Sequence, residues 1–427
     1  MHDVIIIGAG FAGCSAAREV RRAGREPLIL EARDRIGGRT WTQDWDGQTI
    51  ERGGGWVHWL QPHVWTEVVR SGLTPLSGPA YATSYWVVGD EIRSGTYEER
   101  EAIGARAWNR FVEGSHEALP LPHDPLARPG AIARIDGQTI LERINELGLS
   151  DEERAVLTAE VEALACGYVD QAGALSVYRW HALSGHDFGL CQEAGGAITI
   201  AEGTVGILSP ILAEARAELR LNAAVAAIRQ APDHVVVTTR AGEELSARAV
   251  VVTAPLNTLD QIDYAPRLSE PKRAAIAVGQ ASSGIKVFIR VRGTTEHVLG
   301  LHPDHPIGFL MSQWVYPDGT QTLIGFGRDH SACRVDDLGW MQEQVARMIP
   351  GLEVLATSAH DWQADEFSRG TWAIHRPGWY TSHHAAMQEP EGRIIFAGGD
   401  IANGWAGFMD GAIESGTRGG RLAAAIG

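Results

Sequence analysis

The amino-acid sequence predicts an α/β fold (α+β over the whole chain), in which a discontinuous domain carries an inserted second domain. Residues 4–7 form an apolar run typical of a strand buried in a parallel sheet, and a glycine-rich turn and a helix follow directly. Similar runs recur at 248–255 and 394–396, after a long region of different character. The sheet is therefore assembled from distant parts of the sequence, and two domains are expected for 427 residues.

The glycine motif at residues 8–13 predicts a Rossmann-type dinucleotide site. Gly8 permits the tight turn, Gly10 lets the backbone approach a diphosphate, and Gly13 lets the next helix pack on the strand. The helix N-terminus would hold the phosphates. A second strand ends in Glu31, where a carboxylate can accept both ribose hydroxyls. The alternative is a glycine-rich turn in some other α/β protein.

The residues after Glu31 favour FAD over NAD. Two further glycines and a permanently charged guanidinium, in the stretch 33–40, suit a second approach to a diphosphate. This stretch, with residues 8–13 and Glu31, resembles the flavin amine oxidase family. The resemblance implies FAD contacts from Ala32, Arg33, Gly38, Arg39, Val225 and Trp362.

Composition and charge narrow the class of protein. The chain has 44% hydrophobic and 21% charged residues, as soluble globular proteins do. Its net charge of −16 disfavours nucleic acid and anionic membranes as partners and is compatible with cationic substrates. No apolar run approaches the ~20 residues of a membrane span, and the first strand leaves no room for a signal peptide. We therefore expect a cytoplasmic protein.

Few other residue types suggest chemistry outside the nucleotide site. The four cysteines have no metal-ligand spacing, so we expect reduced core thiols and no metal site. His302, His305, His383 and His384 lie in polar stretches and are predicted to be surface residues.

The predicted elements divide the chain between two domains. The FAD-binding domain takes 1–75, 198–268 and 385–427, and the substrate domain takes 76–197 and 269–384. The substrate domain is predicted to combine a mixed sheet with a helical cap. Its predicted elements are a hairpin turning at 89–90, helices at 97–116, 138–147, 151–166 and 337–349, a surface connection at 119–130, and strands within 285–291, 305–328 and 355–362.

Two more glycine clusters match the amine oxidases. A strand ending in Gly399 and Asp400 places a carboxylate where open α/β sheets bind ligands, and a helix from about 408 follows. An ordinary strand–turn–helix closure is the alternative. The resemblance implies that Gly399, Asp400, Phe408 and Met409 lie along the flavin. It implies the same of Gly54, Gly55 and Trp56, for which a plain β-turn is the alternative.

The segment 362–372 matches a further family signature. At the place of Thr371, mammalian monoamine oxidases carry a cysteine bonded to the flavin; threonine cannot form that thioether, so we expect non-covalent FAD. Trp372 and Phe408 fall on the two aromatic cage positions of the family, although most single tryptophans are core residues. The resemblance further implies substrate contacts from Trp56, Trp59, Thr204 and Trp405.

Lys286 is the candidate catalytic residue. Strand alternation places Lys286, Phe288 and Arg290 on one face, and spacing alone favours a solvated face. The resemblance instead implies the lysine that holds a water near flavin N5 and assists reoxidation.

A narrower resemblance is to the bacterial nicotine oxidoreductase branch, carried by residues 55–65, 255–258 and 403–405. The nicotine enzymes have asparagine where this chain has Phe408, and the segment 186–193 diverges. The expected substrate is therefore a nicotine-like amine or another cyclic, secondary or aryl-alkyl amine.

The resemblance implies oxidation of an amine to an imine by hydride transfer to flavin N5, followed by imine hydrolysis. The electrons would pass to O2 or to a cytochrome-type protein. Three alternatives stay open: an L-amino acid oxidase using Arg179 or Arg376 for the carboxylate, a polyamine oxidase, and a flavoprotein whose FAD is structural. The oligomeric state is also open, with a homodimer as one alternative.

Overall fold

A computed structural model describes residues 1–426. The strands are β1 (His2–Ile7), β2 (Pro27–Leu30), β3 (Thr42–Trp45), β4 (Gln48–Glu51), β5 (Pro75–Ser77), β6 (Thr83–Val88), β7 (Glu91–Gly95), β8 (Ile198–Ile200), β9 (Glu218–Arg220), β10 (Val225–Gln230), β11 (Val235–Thr239), β12 (Glu244–Val252), β13 (Asp263–Ala265), β14 (Ile285–Arg292), β15 (Val298–Leu301), β16 (Phe309–Val315), β17 (Gln321–Gly327), β18 (Glu353–Ala359) and β19 (Ile394–Phe396).

The α-helices are α1 (Phe11–Arg22), α2 (Pro62–Arg70), α3 (Tyr97–Phe111), α4 (Ser115–Ala118), α5 (Pro129–Asp136), α6 (Ile140–Asn145), α7 (Asp151–Ala165), α8 (Ala174–Leu183), α9 (Phe188–Gly196), α10 (Gly203–Ala215), α11 (Glu270–Val278), α12 (Leu338–Ala346), α13 (Ala385–Gln388) and α14 (Met409–Ala425). None of the helices in residues 1–426 is long and apolar enough to cross a membrane.

The first sheet has the order β13-β10-β11-β12-β1-β2-β9, and β19 adds to the same edge of β12 as β11. Its centre is parallel: β1 pairs with β2 and β12, and β12 pairs with β19. The buried apolar runs predicted at 4–7, 248–255 and 394–396 are therefore neighbours in one sheet. Strands from three distant parts of the chain meet, as predicted.

The last helix closes this sheet by packing against the first helix. A Cβ added to Gly416 would lie 2.1 Å from the Ala12 carbonyl oxygen, and one added to Gly420 would lie 2.4 Å from that of Ala16. Only glycine permits such close approach of two helices, which explains the small-residue composition of α14.

The second sheet has the order β18-β14-β17-β16-β15-β6-β7 and is mixed, since β15 and β6 pair in parallel. The predicted hairpin forms, with Val88 opposite Glu91 across the turn at 89–90. Strand β14 is buried along both faces, including Lys286, Phe288 and Arg290. The interpretation favoured by spacing alone, that this face of the strand is solvated, is therefore wrong.

Three helices were not expected from the sequence: α8 and the two helices that pack against it, α5 and α9. All ten residues of α8 are buried, so it has no amphipathic stripe, and α9 contains three glycines. The predicted surface position is also wrong for His305 and His384, which are both buried. Burial lowers the pKa of His305 to about 4 and that of His384 to about 3, so both rings are neutral at pH 7.

The cysteines are as predicted. Cys14, Cys166 and Cys191 are buried, Cys333 is half-buried, and all four are free thiols. Burial raises their pKa values to about 12, so these thiols are unreactive at neutral pH. Within residues 1–426 no cluster of histidine, cysteine or carboxylate side chains has the geometry of a metal site.

Candidate active site

A cavity of about 840 Å³ is lined by residues of both sheets. On one side it is lined by the carboxyl ends of β1 and β2 and by Thr253 and Gly398, which follow β12 and β19. On the other side lie Lys286 and Phe326 from the second sheet. This position, at the carboxyl edge of a parallel sheet, is where α/β proteins bind ligands.

The glycine turn after β1 has two kinds of glycine. A Cβ on Gly13 would lie 1.9 Å from the Gly8 carbonyl oxygen, so internal packing alone requires this glycine. A Cβ on Gly10 would meet no protein atom closer than 3.8 Å. Gly10 lines the cavity and Gly13 does not. The bare backbone at Gly10 is therefore explained by an occupant of the cavity rather than by the fold.

The part of the cavity next to the glycine turn offers backbone N–H groups for an anion and a carboxylate for hydroxyl groups. Helix α1 begins after Gly10 with no side chain capping its N-terminus, which leaves backbone N–H groups for an anion. Glu31 is buried, and its carboxylate accepts hydrogen bonds from the backbone N–H groups of Ala9 (2.7 Å) and Arg33 (2.9 Å). Glu31 thus fixes the turn, and its remaining lone pairs can still accept ribose hydroxyls.

Most predicted cofactor residues line this cavity. They are Gly8, Gly10, Glu31, Ala32, Arg33, Gly38, Arg39, Gly54, Gly55, Trp56, Val225, Trp362, Gly399, Phe408 and Met409. Asp400 does not: its carboxylate accepts from Arg39 and from the backbone N–H of Leu256 (2.8 Å). Arg39 also donates to the Thr371 carbonyl (2.7 Å), so Asp400 fastens the segments that border the cavity.

Helix α14 points its N-terminus at the middle of the cavity. The helix begins at Met409 after Phe408, no side chain caps it, and both residues line the cavity. Its free N–H groups and dipole can stabilise negative charge on a bound ring system.

Aromatic side chains enclose the end of the cavity away from the glycine turn. Trp372 donates its Nε1–H to the Leu164 carbonyl (2.7 Å) and meets Phe326 edge to face, with ring centroids 5.8 Å apart. Phe408 meets Trp180 (5.7 Å) and Trp405 (5.1 Å), again edge to face. We call the cavity-lining rings of Trp56, Trp180, Phe326, Trp372 and Phe408 the aromatic chamber.

Two of the predicted substrate residues lie outside the cavity. Trp405 is buried behind Phe408, and its Nε1–H donates to the Leu60 carbonyl (3.0 Å). Thr204 donates its hydroxyl (2.8 Å) and its backbone N–H (2.7 Å) to the Glu51 carboxylate. Trp56 and Trp59, by contrast, line the cavity as expected for substrate contacts.

Lys286 is fully enclosed at the side of the chamber. Its Nζ donates to the carbonyls of Glu51 (2.9 Å) and Gly53 (3.1 Å) and lies 4.3 Å from the Trp56 ring centroid. Burial lowers the pKa of Lys286 to about 7, against the opposing effect of the Glu51 charge. Lys286 is the only lysine among the described residues that line the cavity.

Sequence reasoning missed Trp180, which forms a wall of the chamber. Its Nε1–H donates to the Ala406 carbonyl (3.2 Å), which ties α8 to the loop before α14. No local signal could have identified it, because α8 lacks an amphipathic pattern and approaches from more than 200 residues away in the sequence.

Arg179, beside Trp180 on α8, holds the same loop through a buried guanidinium. It donates to the carbonyls of Asn403 and Gly404 and to the Tyr380 hydroxyl. No carboxylate in residues 1–426 forms an ion pair with it. The Tyr380 hydroxyl in turn lies 2.9 Å from Nδ1 of His375, whose Nε2 lies 2.7 Å from the Asp400 carbonyl oxygen. Arg179 thus fixes the loop at 403–404 before α14 and, through Tyr380 and His375, links it to the segment at 375–380.

Replacing Arg179 by methionine should lower the free energy of unfolding by about 2–4 kcal/mol, because three buried acceptors lose their donor. Urea unfolding followed by fluorescence measures this. Arg376→Met is the control, since the Arg376 guanidinium donates a single long, exposed hydrogen bond, to the Gln171 side chain (3.4 Å), within residues 1–426 and its loss should change stability by less than about 0.5 kcal/mol. Equal stability of the two variants would contradict the anchoring role.

These features fit FAD. The cavity combines a bare-backbone approach at Gly10, an uncapped helix N-terminus, a ribose-type carboxylate, a second uncapped helix at α14 and an aromatic chamber. A dinucleotide with a flat ring system would account for all of them: the N-terminus of α1 would hold its phosphates, and the start of α14 and the chamber would line the site of its ring system.

Comparison with known proteins gives the same result. The profile of the flavin containing amine oxidoreductases matches residues 11–422. The chain is 36% identical to a pseudooxynicotine dehydrogenase of Pseudomonas sp. over 97% of its length and 84% of that protein, and 36% identical to the nicotine dehydrogenase of Pseudomonas putida over 98% and 88%. It is 28% identical to (S)-6-hydroxynicotine oxidase of Paenarthrobacter nicotinovorans over 97% of each.

Solved structures show the same fold. A putrescine oxidase superposes with a TM-score of 0.83 at 23% identity, covering 100% of this chain and 98% of that one. The cyclohexylamine oxidase of Brevibacterium oxydans gives 0.81 at 21% identity, with 99% and 98% covered. The predicted FAD cofactor, fold and resemblance are confirmed, and the chain belongs to the family of flavin containing amine oxidoreductases.

Proposed function

We propose that this amine oxidoreductase oxidises a nicotine-like or other cyclic, secondary or aryl-alkyl amine to the imine, which then hydrolyses in water. Bound FAD supplies the oxidant, accepting a hydride from the amine α-carbon at N5. The electrons leave to O2 or to a cytochrome-type protein. The observation that carries the proposal is the aromatic chamber, which belongs to the same cavity as the glycine turn at residues 8–13 and has Lys286 in its wall.

The residues of the chamber bind and orient the amine. The rings of Trp372 and Phe408 favour flat or cationic substrates and keep water away from the reacting carbon. Trp180 and Phe326 support these two rings edge to face, so the chamber keeps its shape without a substrate. The role proposed for Lys286 is to hold a water and a positive charge beside the cofactor, with its own position set by two carbonyls.

The relatives support this substrate class. Two of them are named for nicotine or pseudooxynicotine and one for 6-hydroxynicotine. Two are named as dehydrogenases and one as an oxidase, which is why both kinds of electron acceptor are proposed.

Neither of the two arginines considered for the L-amino acid oxidase alternative, Arg179 and Arg376, lines the cavity. Nη1 of Arg179 donates to the Tyr380 hydroxyl, and Nη2 donates to the Asn403 and Gly404 carbonyls. A substrate carboxylate therefore has no candidate partner from that pair.

We also propose that the FAD is held without a covalent bond, because Thr371 lines the cavity at the place of the family's flavin-bound cysteine. Denaturation and filtration should release all the flavin absorbance into the filtrate.

The test of the function is an anaerobic visible spectrum of the FAD-loaded protein, titrated with nicotine, pseudooxynicotine and a panel of secondary and primary amines. Bleaching of the oxidised-flavin bands by one class of amine supports the proposal and names the substrate class. Opening the cuvette to air then tests oxygen as the acceptor. Flavin bands that no amine bleaches would favour the structural-FAD alternative.

A further inference from the structure

Two of the side chains that line the cavity, Trp59 and Glu193, are half-exposed to solvent. Trp59 is 49% exposed, which is unusual for a tryptophan, and the Glu193 side chain is also 49% exposed. Glu193 lies on α9 and Trp59 precedes α2, so the two come from different parts of the fold.

The fully buried ring of His58 lies against both side chains. Its Nδ1 accepts a hydrogen bond from the backbone N–H of Leu60 (3.2 Å), so the neutral ring carries its proton on Nε2. That Nε2 faces the Glu193 carboxylate at 3.4 Å. Burial lowers the pKa of His58, which keeps the ring neutral despite the carboxylate. The His58 ring also lies against the Trp59 ring, with centroids 3.7 Å apart and ring planes inclined by 35°.

The turn at 58–61 is fixed relative to the aromatic chamber. The Gln61 side chain accepts from the His58 N–H (3.2 Å) and donates to the Ala194 carbonyl of α9 (3.2 Å). Trp405, which backs Phe408, donates to the Leu60 carbonyl (3.0 Å). His58 and Glu193 therefore have a defined position with respect to the chamber wall.

Glu193 keeps its negative charge uncompensated. Of the other carboxylates that line the cavity, Glu160 is ion-paired with Arg100 (2.6 Å), and Glu31 accepts two backbone N–H groups at the nucleotide end. Glu98 and Glu101, on α3, also line the cavity, but they are not beside an exposed indole of the kind that Trp59 offers to Glu193. The partner of Glu193 is a neutral imidazole, which orients the carboxylate without neutralising it.

We propose that Glu193 and Trp59 form an entrance subsite that binds the ammonium form of the amine substrate. A carboxylate beside an exposed indole is the combination that recognises an organic cation. Alkyl amines carry a proton at pH 7, whereas hydride loss from the α-carbon requires the free lone pair on nitrogen. The carboxylate holds the charged form, so the ammonium gives its proton to bulk water as it leaves Glu193, and the neutral amine then moves into the chamber. The subsite rests on the proposed function, since it serves the same amine.

The first test measures binding without turnover. Phenyltrimethylammonium is a permanent cation that can lose no N–H proton, and its affinity for the FAD-loaded protein is measured by calorimetry. Glu193→Gln keeps the shape and the acceptor for His58 but removes the charge, and should weaken binding about tenfold. Glu193→Asp keeps the charge and should bind the cation with most of the native affinity. Trp59→Leu removes the indole and should lower the affinity by about the same factor as Glu193→Gln. Glu117→Gln is the control for charge, because Glu117 is exposed on α4 and does not line the cavity.

The second test uses the oxidised amine. In Glu193→Gln the loss should fall on kcat/KM rather than kcat, and raising the salt concentration should lower kcat/KM less than in the native protein. Unchanged affinity for phenyltrimethylammonium in Glu193→Gln would overturn the subsite even if amines reduce the FAD. Cation binding that depends on Glu193, in a protein that no amine reduces, would support the subsite and overturn the proposed function.

Discussion

Replacing Lys286 by methionine should slow reoxidation of the reduced enzyme by oxygen about a hundredfold, while reduction by the amine changes little. Lys286 is the only lysine among the described residues lining the cavity, and its Nζ is held by the carbonyls of Glu51 and Gly53. A fixed positive charge in a dry site stabilises the negative charge that passes to oxygen, and removing one such group typically costs ~10²–10³ in rate. Stopped-flow mixing of the amine-reduced enzyme with aerated buffer measures the rate directly.

The pH dependence of this step follows from the same side chain. Burial lowers the pKa of Lys286 to about 7, so its ammonium form dominates below that pH and is lost as the pH rises. The oxygen rate of the native protein should therefore fall with rising pH around neutrality, and that of Lys286→Met should be flat. Negative charge on the reduced cofactor would raise the pKa, which moves the midpoint upward and leaves the sign unchanged.

Lys272→Met is the matched control for Lys286→Met. Lys272 is buried to the same degree and donates to the carbonyls of Ala386 (2.5 Å) and Glu389 (2.7 Å), but it does not line the cavity. This variant should be less stable and should keep the oxygen rate and its pH profile. Equal losses in both variants would show that burying methionine, rather than removing the charge from the cavity, causes the effect.

The parts of the fold that the sequence predicts well are those with a local physical cause. The turn at Gly8 and the close packing at Gly13 follow from steric needs within residues 8–13, and Glu31 reaches back from the next strand to the Ala9 N–H of the same turn. The hairpin at 89–90 likewise depends on neighbouring residues only. Such features can be read without knowledge of what surrounds them.

The misjudged parts depend on contacts between distant segments. Alternation along β14 separates two faces, but it cannot tell solvent from the wall of a cavity, so Lys286 was open to both interpretations. Thr204 was expected at the substrate and instead binds Glu51, a residue more than 150 positions earlier. Trp180 reaches the chamber on a helix that is buried all round and so lacks any periodic signal.

The second large effect is expected at Trp372, one of the two residues predicted to form the aromatic cage. Replacing Trp372 by alanine should lower kcat/KM for the best amine roughly tenfold to hundredfold, because the substrate loses an aromatic contact of about 1–3 kcal/mol. The variant also leaves the Leu164 carbonyl without its indole donor and Phe326 without its edge-to-face partner. Trp372→Phe restores a ring but not the Nε1–H, so it separates the effect of the ring from that of the hydrogen bond.

If the ring of Trp372 contacts the amine, Trp372→Phe should keep kcat/KM within about fivefold of the native value. If the tryptophan acts only by fixing Leu164 on α7, both variants should lose activity equally, and the cage assignment would be wrong. Steady-state kinetics with one flat aromatic amine and one small aliphatic amine sharpen the result. A stacking contact matters more for the flat substrate, whereas a displaced α7 would impair both amines alike.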